Sequence, residues 1–306
     1  MSLLYLLEGI RFPALNRLML LVTALGEETA FLVIALIVFW CVDKRRGYYL
    51  LSVGFLGTIA NQLLKLTCRI PRPWVQDPDF TIVEEAREAA AGYSFPSGHT
   101  QNAVGTFGSM AHTQKGVLKY LWILLMALVA FSRMYLGVHT PADVLVGALM
   151  ALVLVVFLQP VFYGDCEKAR KILLAVMIAL SVLFVLYVEL WNFPEDMDPH
   201  NLQSGYKNAY TMLGCTLGAA VVYAADQKKL NFPVEAIWWV QIIKVLLGLA
   251  LVLAVKEGLR APLDMIFGGH MAARCVRYFL VVVTAGVLWP LSFKKFSQIG
   301  KSKEES

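Results

Sequence analysis

Three short strings carry residues able to hold a phosphate ester and break it: Lys65-x6-Arg72-Pro73, Pro96-Ser97-Gly98-His99 and Ser132-Arg133-x5-His139-x3-Asp143. Together they supply three cations, two imidazoles, one carboxylate and a glycine-flexible turn. Guanidinium groups make forked contacts to phosphoryl oxygens and a lysine ammonium acts as a point charge. An imidazole can attack phosphorus or move a proton near neutral pH.

In His139-Thr140-Pro141-Ala142-Asp143, Thr140 suits an N-cap, Pro141 the first helical position and Asp143 the third, so a helix should begin there. By itself Thr140-x-x-Asp143 is a capping box of a kind found in any protein. With His139 immediately before the cap, the same carboxylate can also accept a hydrogen bond from one ring nitrogen. That fixes the tautomer whose other nitrogen carries a nucleophilic lone pair. Ser97 can cap a second helix, and Gly98 lets backbone N–H groups approach an anion at its positive end. A bare Pro-Ser-Gly is simply a turn, but His99 follows it as a candidate general acid. Lys65, Arg69 and Arg72 lie four and three residues apart on a helix that Pro71 and Pro73 should stop. They read either as snorkelling boundary cations or, with Arg133, as phosphate ligands.

The elements that must position these residues are membrane helices. Of the 306 residues 58% are hydrophobic and 16% charged, and the mean hydropathy is +0.63, values that place the chain outside ordinary soluble globules. A span needs roughly 20 apolar residues of helix. Nine spans are expected, near 27–43, 48–66, 98–114, 117–136, 140–163, 172–191, 205–225, 236–255 and 274–292. The fold class is therefore all-α, a polytopic membrane bundle. An amphipathic segment, 1–26, precedes it and could lie along the interface; no cleavable signal peptide is expected. Lys and Arg cluster around 44–46, 115–119, 168–171, 228–229 and in the tail 293–306, which should be the cytoplasmic side, C-terminus included. All three strings then fall on the opposite, extracytoplasmic face. These loops account for the net charge of +5 without a nucleic-acid partner. The five cysteines show no metal-ligand spacing, and neither a disulfide framework nor a metal site is expected.

In order and without a departure, the three strings resemble the signature of the phosphatidic acid phosphatase type 2 superfamily, over about residues 47–165. That superfamily includes sphingosine-1-phosphate phosphatases, undecaprenyl diphosphate phosphatases, glucose-6-phosphatases and soluble haloperoxidases. The resemblance implies a six-helix catalytic core, 27–191, with 192–292 as additional C-terminal helices, and a metal-independent mechanism needing no cofactor. It makes His139 the nucleophile that forms a phosphohistidine, Asp143 its orienter and His99 the acid and later base. Lys65, Arg72, Ser97, the Gly98 amide and Arg133 would hold phosphoryl oxygens, with Arg69 in a supporting role. A lipid phosphate or diphosphate drawn from the bilayer is the expected substrate: phosphatidate, a sphingoid-base phosphate or a polyprenyl diphosphate. A glucose-6-phosphatase-like sugar phosphatase, a lipid phosphotransferase and a non-enzymatic lipid-binding or transport protein are the alternatives.

Outside the strings, the connection 74–95 carries Asp77, Asp79, Glu84, Glu85 and Glu88 and reads as a solvated acidic loop or a lid, with a short surface helix at Val83–Ala91. Lys244, near the middle of an expected span, needs a partner, for which Glu189 is a candidate, or a water-filled cavity on a substrate path. Gly214-x-x-x-Gly218 permits close helix packing, within the monomer or in a homodimer. His112, His200 and His270 are placed at a helix end, in a loop and beside the outer vestibule.

Overall fold

The computed structural model describes residues 1–90, 92–195 and 197–299. Lys301 and Lys303 of the expected tail, and Ala91 of the expected surface helix, lie outside the described residues. Fourteen α-helices follow in chain order: α1 (Ser2–Glu8), α2 (Pro13–Ala24), α3 (Glu28–Cys41), α4 (Lys44–Cys68), α5 (Pro73–Gln76), α6 (Gly98–Thr113), α7 (Val117–Tyr135), α8 (Pro141–Tyr163), α9 (Glu167–Leu190), α10 (Pro199–Ala225), α11 (Trp238–Gly258), α12 (Arg260–Ile266), α13 (Ala272–Val283) and α14 (Phe293–Phe296). No strand occurs among the described residues.

Among the described residues six helical stretches are long and apolar enough to cross a bilayer: Lys44–Gln76, Val117–Tyr135, Pro141–Tyr163, Glu167–Leu190, Trp238–Ile266 and Ala272–Phe296. The bent pair α2 and α3, meeting at 48°, makes a seventh if it is one span. The outward-facing Leu145, Leu149, Val153, Val156 and Phe157 of α8 are what a lipid-facing surface requires. This is a multi-pass membrane protein. Of the nine expected spans, α3 at 14 residues meets the requirement only when joined to α2, and two others do not meet it. Helix α6 has only 16 residues, and α10, at 27 residues, is diluted by Gly, Thr, Tyr and Asn. Thr100, Gln101, Thr106 and Ser109 of α6 are nonetheless buried, because it packs on both α7 and α8 and meets protein where an outer helix would meet lipid.

The chain divides into two compact units. The first comprises Met1–Leu32, Tyr49–Tyr163 and Phe193–Gly205, and contains all three strings. Helix α6 is its centre. Gly57 faces the Gln101 side chain, and a Cβ on Gly147 of α8 would come within 2.6 Å of the Ser97 carbonyl, so these glycines are what let the helices close. Helices α1 and α2, built from the expected amphipathic segment, pack on α7.

The second unit comprises Val33–Tyr48, Gly164–Asn192 and the chain from Tyr206 onward. Its Gly214 and Gly218 let α10 lie directly on α13: a Cβ on Gly218 would sit 2.8 Å from Val282 Cβ, and one on Gly214 would strike the Cys275 carbonyl. The small-residue pair is therefore used within the monomer. Lys244 is buried, but its partner is not Glu189. Its ammonium donates to the Val234 carbonyl at 2.9 Å and sits 4.3 Å from the centre of the Phe293 ring, while Glu189 accepts from the Tyr210 hydroxyl at 3.0 Å. A backbone carbonyl and an aromatic face compensate part of the cost of burying the ammonium without a carboxylate.

Gly214→Leu should force α10 off the α13 backbone and cost about 1–3 kcal/mol, read as a lower unfolding temperature of the detergent-solubilised protein. Gly258→Ala, where nothing lies within 4 Å of the new Cβ, should leave that temperature unchanged or raise it slightly.

Candidate active site

The three strings end four different elements at one layer of the first unit. Helix α4 stops at Cys68, and Arg69 takes a left-handed conformation (φ 50°) that turns the chain toward Pro71 and Pro73. Ser97 caps α6, its hydroxyl accepting from the Thr100 amide at 3.4 Å and the Thr100 hydroxyl at 3.0 Å. Helix α7 ends two residues after Arg133. Helix α8 begins with a reciprocal cap in which the Thr140 amide donates to Asp143 Oδ2 (2.7 Å) and the Asp143 amide donates to Thr140 Oγ1 (3.3 Å). The capping box read from the sequence is present.

Lys65, Arg72, Ser97, Arg133, His139 and Asp143 are all buried in this layer. The Lys65 ammonium donates to the Tyr93 carbonyl. Arg72 donates through Nε to the Gly92 carbonyl (2.9 Å) and through Nη1 to the Val138 carbonyl (2.9 Å). The same Nη1 lies 2.8 Å from His139 Nε2. A guanidinium can only donate, so Nε2 accepts here and the ring proton resides on Nδ1. That nitrogen faces Asp143 Oδ2 at 3.5 Å. Burial, and then the neighbouring Arg72, Arg133 and Lys65 charges, push the His139 imidazole well below its ordinary value. These effects favour the neutral ring, and the tautomer set by Arg72 is the one that leaves Nε2 with the lone pair while Nδ1 faces Asp143 across a long contact.

Arg133 donates through Nη1 to the Thr23 hydroxyl at 2.7 Å. Its Nε and Nη2, and His99 Nε2, are buried without a hydrogen-bond partner among the described residues. Buried donors such as the two Arg133 nitrogens are costly when left without a partner, so they can take an acceptor that enters this layer. The Gly98 amide stands at the first turn of α6, where backbone N–H groups are free of helical partners.

Arg69, expected to support the site, is exposed. The left-handed turn that ends α4 carries it away from the buried cluster. Three contributors escaped the sequence reading. The Ser94 hydroxyl donates to Asp143 Oδ2 at 2.6 Å; Thr23 carries Arg133; and Gly147 admits Ser97 against α8. Ser94, three residues before Ser97, could have been singled out by proximity, whereas nothing in their local sequence marks Thr23 or Gly147. The connection 74–95 is neither purely solvated nor a free flap. Glu84, Glu85 and Glu88 point outward, while Val83, Ala86 and Ala90 pack on Tyr135, Leu136 and Val138. In place of a helix at Val83–Ala91 there are two short 3-10 turns, Glu84–Ala86 and Glu88–Ala90.

A family model described as the PAP2 superfamily matches residues 45–166, and one described as PAP2 superfamily phosphatase, transmembrane extension, matches residues 210–302. Among curated proteins the chain is similar to sphingosine-1-phosphate phosphatase 2 of Homo sapiens, at 27% identity over 56% of this chain and 43% of that protein. It is 30% identical to phosphatidylglycerophosphatase B of Bacillus subtilis, over 53% of this chain and 80% of the relative. A dihydrosphingosine 1-phosphate phosphatase of Schizosaccharomyces pombe aligns at 23% identity over 87% of this chain and 68% of that protein. The chain thus spans less than half of the human relative's length. No solved structure matches the chain with significance. The family model lies across the helices that bring the three strings together, and a relative is matched over most of its length, so the chain belongs to the PAP2 superfamily.

Proposed function

We propose that this protein is a metal-independent integral membrane phosphatase that hydrolyses a lipid phosphate or diphosphate through a phosphohistidine on His139. The observation that carries the reading is the buried His139 with Nδ1 toward Asp143 and Nε2 against Arg72, in the layer that also buries Lys65 and Arg133. In the first step Nε2 attacks phosphorus in line with the leaving oxygen, and the P–O bond breaks. His99 donates a proton to that oxygen. In the second step His99 takes a proton from water, the water oxygen attacks the phosphohistidine, and the P–N bond breaks to release phosphate. Lys65, Arg72, Arg133, Ser97 and the Gly98 amide stabilise the phosphoryl oxygens as charge shifts in the transition state.

A lipid substrate fits a site at the ends of helices whose outer faces are apolar, because acyl chains reach such a site sideways while the headgroup enters the polar layer. The names of the relatives favour the same class, and the dihydrosphingosine 1-phosphate phosphatase, whose alignment covers 87% of this chain, favours a sphingoid-base phosphate within it. The positive loops at the other ends of α4 and α7 support an extracytoplasmic active face with the C-terminus in the cytoplasm.

The test is phosphate release by the purified protein on phosphatidate, sphingosine-1-phosphate, undecaprenyl diphosphate and glucose-6-phosphate in excess EDTA. Release should be EDTA-resistant, greatest on one of the lipids, and reduced on the order of 10³-fold or more in His139→Ala. Loss of release in EDTA, or full activity in His139→Ala, would overturn the mechanism; preference for glucose-6-phosphate would overturn the lipid assignment. Transfer of label to an added alcohol in place of water would make the enzyme a phosphotransferase.

Ser94→Ala removes one donor from Asp143 and should lower kcat about tenfold, the equivalent of about 1.4 kcal/mol, without altering the unfolding temperature by more than a few degrees. In histidine NMR of the phosphate-free protein, His139 should remain neutral as pH falls through about 6.5, the ordinary imidazole midpoint, and gain its proton only below it.

A further inference from the structure

We propose that the N-terminal segment completes the phosphate site, and that Thr23, which lies before the region matched by the family model, is a positioning residue for the Arg133 guanidinium. The inference rests on reading Arg133 as a phosphate ligand.

The geometry of the guanidinium is the main argument. Arg133 is fully buried, and Thr23 Oγ1 takes one of its Nη1 protons at 2.7 Å. The nitrogens left without a partner among the described residues are Nε and Nη2. Those two form the side edge of the guanidinium, whose parallel N–H bonds match two oxygens of a phosphoryl group. Thr23 thus occupies the corner of the fork that a phosphate does not need and leaves the useful edge clear. An unanchored arginine could swing about several side-chain torsions; one held at Nη1 presents its Nε and Nη2 protons in a fixed direction.

Thr23 is itself held. It is buried in the last turn of α2, and α2 is tied to the end of α7 near Arg133. The Tyr135 hydroxyl donates to Asn16 Oδ1 at 2.8 Å, and Arg11 Nε donates to the Tyr135 carbonyl at 2.9 Å. Met19 packs in the cluster with Tyr135, Leu136 and Val138. Just past α2, Gly26 passes so close to the α6 start that a Cβ there would lie 2.8 Å from the His99 carbonyl. The same segment therefore braces the strand of chain carrying Arg133 and abuts the backbone of the candidate acid. Arg11 and Glu8 also hold the 74–95 connection, through the Thr81 carbonyl at 2.7 Å and the Thr81 amide at 3.1 Å.

The experiment compares Thr23→Val, which keeps the shape and deletes the acceptor, with Thr23→Ser, which keeps the acceptor, in the full chain. The readouts are kcat and KM on the preferred lipid phosphate, inhibition by orthovanadate as a mimic of the five-coordinate phosphoryl group, and unfolding temperature. Thr23→Val should lower kcat about tenfold with KM within about twofold, and weaken vanadate inhibition about tenfold, because the lost contact acts mainly on the transition state. Thr23→Ser should stay within about twofold of wild type in both. Thr211→Val, which deletes the hydroxyl that accepts from Arg274 Nε at 2.6 Å in the second unit, removes a part-buried threonine–arginine contact elsewhere and should leave vanadate inhibition intact. If Thr23→Val does not accumulate as folded protein, Thr23→Ala reads the same deletion. Wild-type kcat and vanadate inhibition in Thr23→Val, equal losses in Thr23→Val and Thr23→Ser, or equal loss of vanadate inhibition in Thr211→Val would each overturn the proposal. His139→Ala run alongside separates the two readings: if it is inactive while Thr23→Val behaves as wild type, only the positioning role fails, and if it is fully active the phosphatase reading fails first.

Discussion

Asp143 Oδ2 accepts from the Thr140 amide that starts α8 and from the Ser94 hydroxyl that anchors the approach to α6, while facing His139 Nδ1. One oxygen thus fixes a helix start, a loop position and an imidazole tautomer. A buried carboxylate is tolerated only when such donors surround it, so the electrostatic need of Asp143 and the geometric need of His139 are met by the same contacts. The Asp143 carbonyl extends the arrangement by accepting from the Ser97 amide at 2.9 Å, which ties the two helix starts together at the backbone.

Around this point the cations are held mostly by carbonyl oxygens. Lys65 is held by Tyr93, and Arg72 by Gly92 and Val138. Carbonyls satisfy donors without cancelling charge, so the layer stays electropositive while remaining hydrogen-bonded. It follows that the connection 74–95 is structural as well as protective. Its backbone supplies acceptors to the site, its apolar residues pack against the end of α7, and the carboxylates of Asp79, Glu84, Glu85 and Glu88 remain exposed, away from the buried cations.

The helical class, the membrane setting and most of the site were legible in the sequence because each has a local signature. Apolar runs mark spans, Thr140-x-x-Asp143 marks a helix start, and the three strings carry their own spacing. What was missed depends on contacts between residues far apart in the chain. Thr23 and Arg133 are 110 positions apart, and neither reveals the other. Arg69 fits the helical spacing of Lys65 and Arg72, yet the chain leaves the helix at that residue, and a periodicity argument does not survive the end of its helix. Lys244 found a carbonyl and a ring because buried cations can be satisfied by partners that carry no charge, which a search for carboxylates overlooks. Fewer helices than the nine expected are long and apolar enough to span, because α6 is short and wrapped by neighbours and α10 is diluted by polar and small residues, so their polarity reflects what surrounds them.

On the proposed mechanism, the Arg72 proton directed at His139 Nε2 makes the choice among phosphate esters a matter of charge. The Nε2 lone pair would be occupied until a stronger acceptor draws the guanidinium away. A terminal phosphoryl group, with up to two negative charges and three unesterified oxygens, is such an acceptor; a phosphodiester headgroup, with one charge and two such oxygens, competes less well. An enzyme immersed in a bilayer of diesters would in this way keep its histidine masked against the lipids that surround it, and expose it only to the minority that end in phosphate.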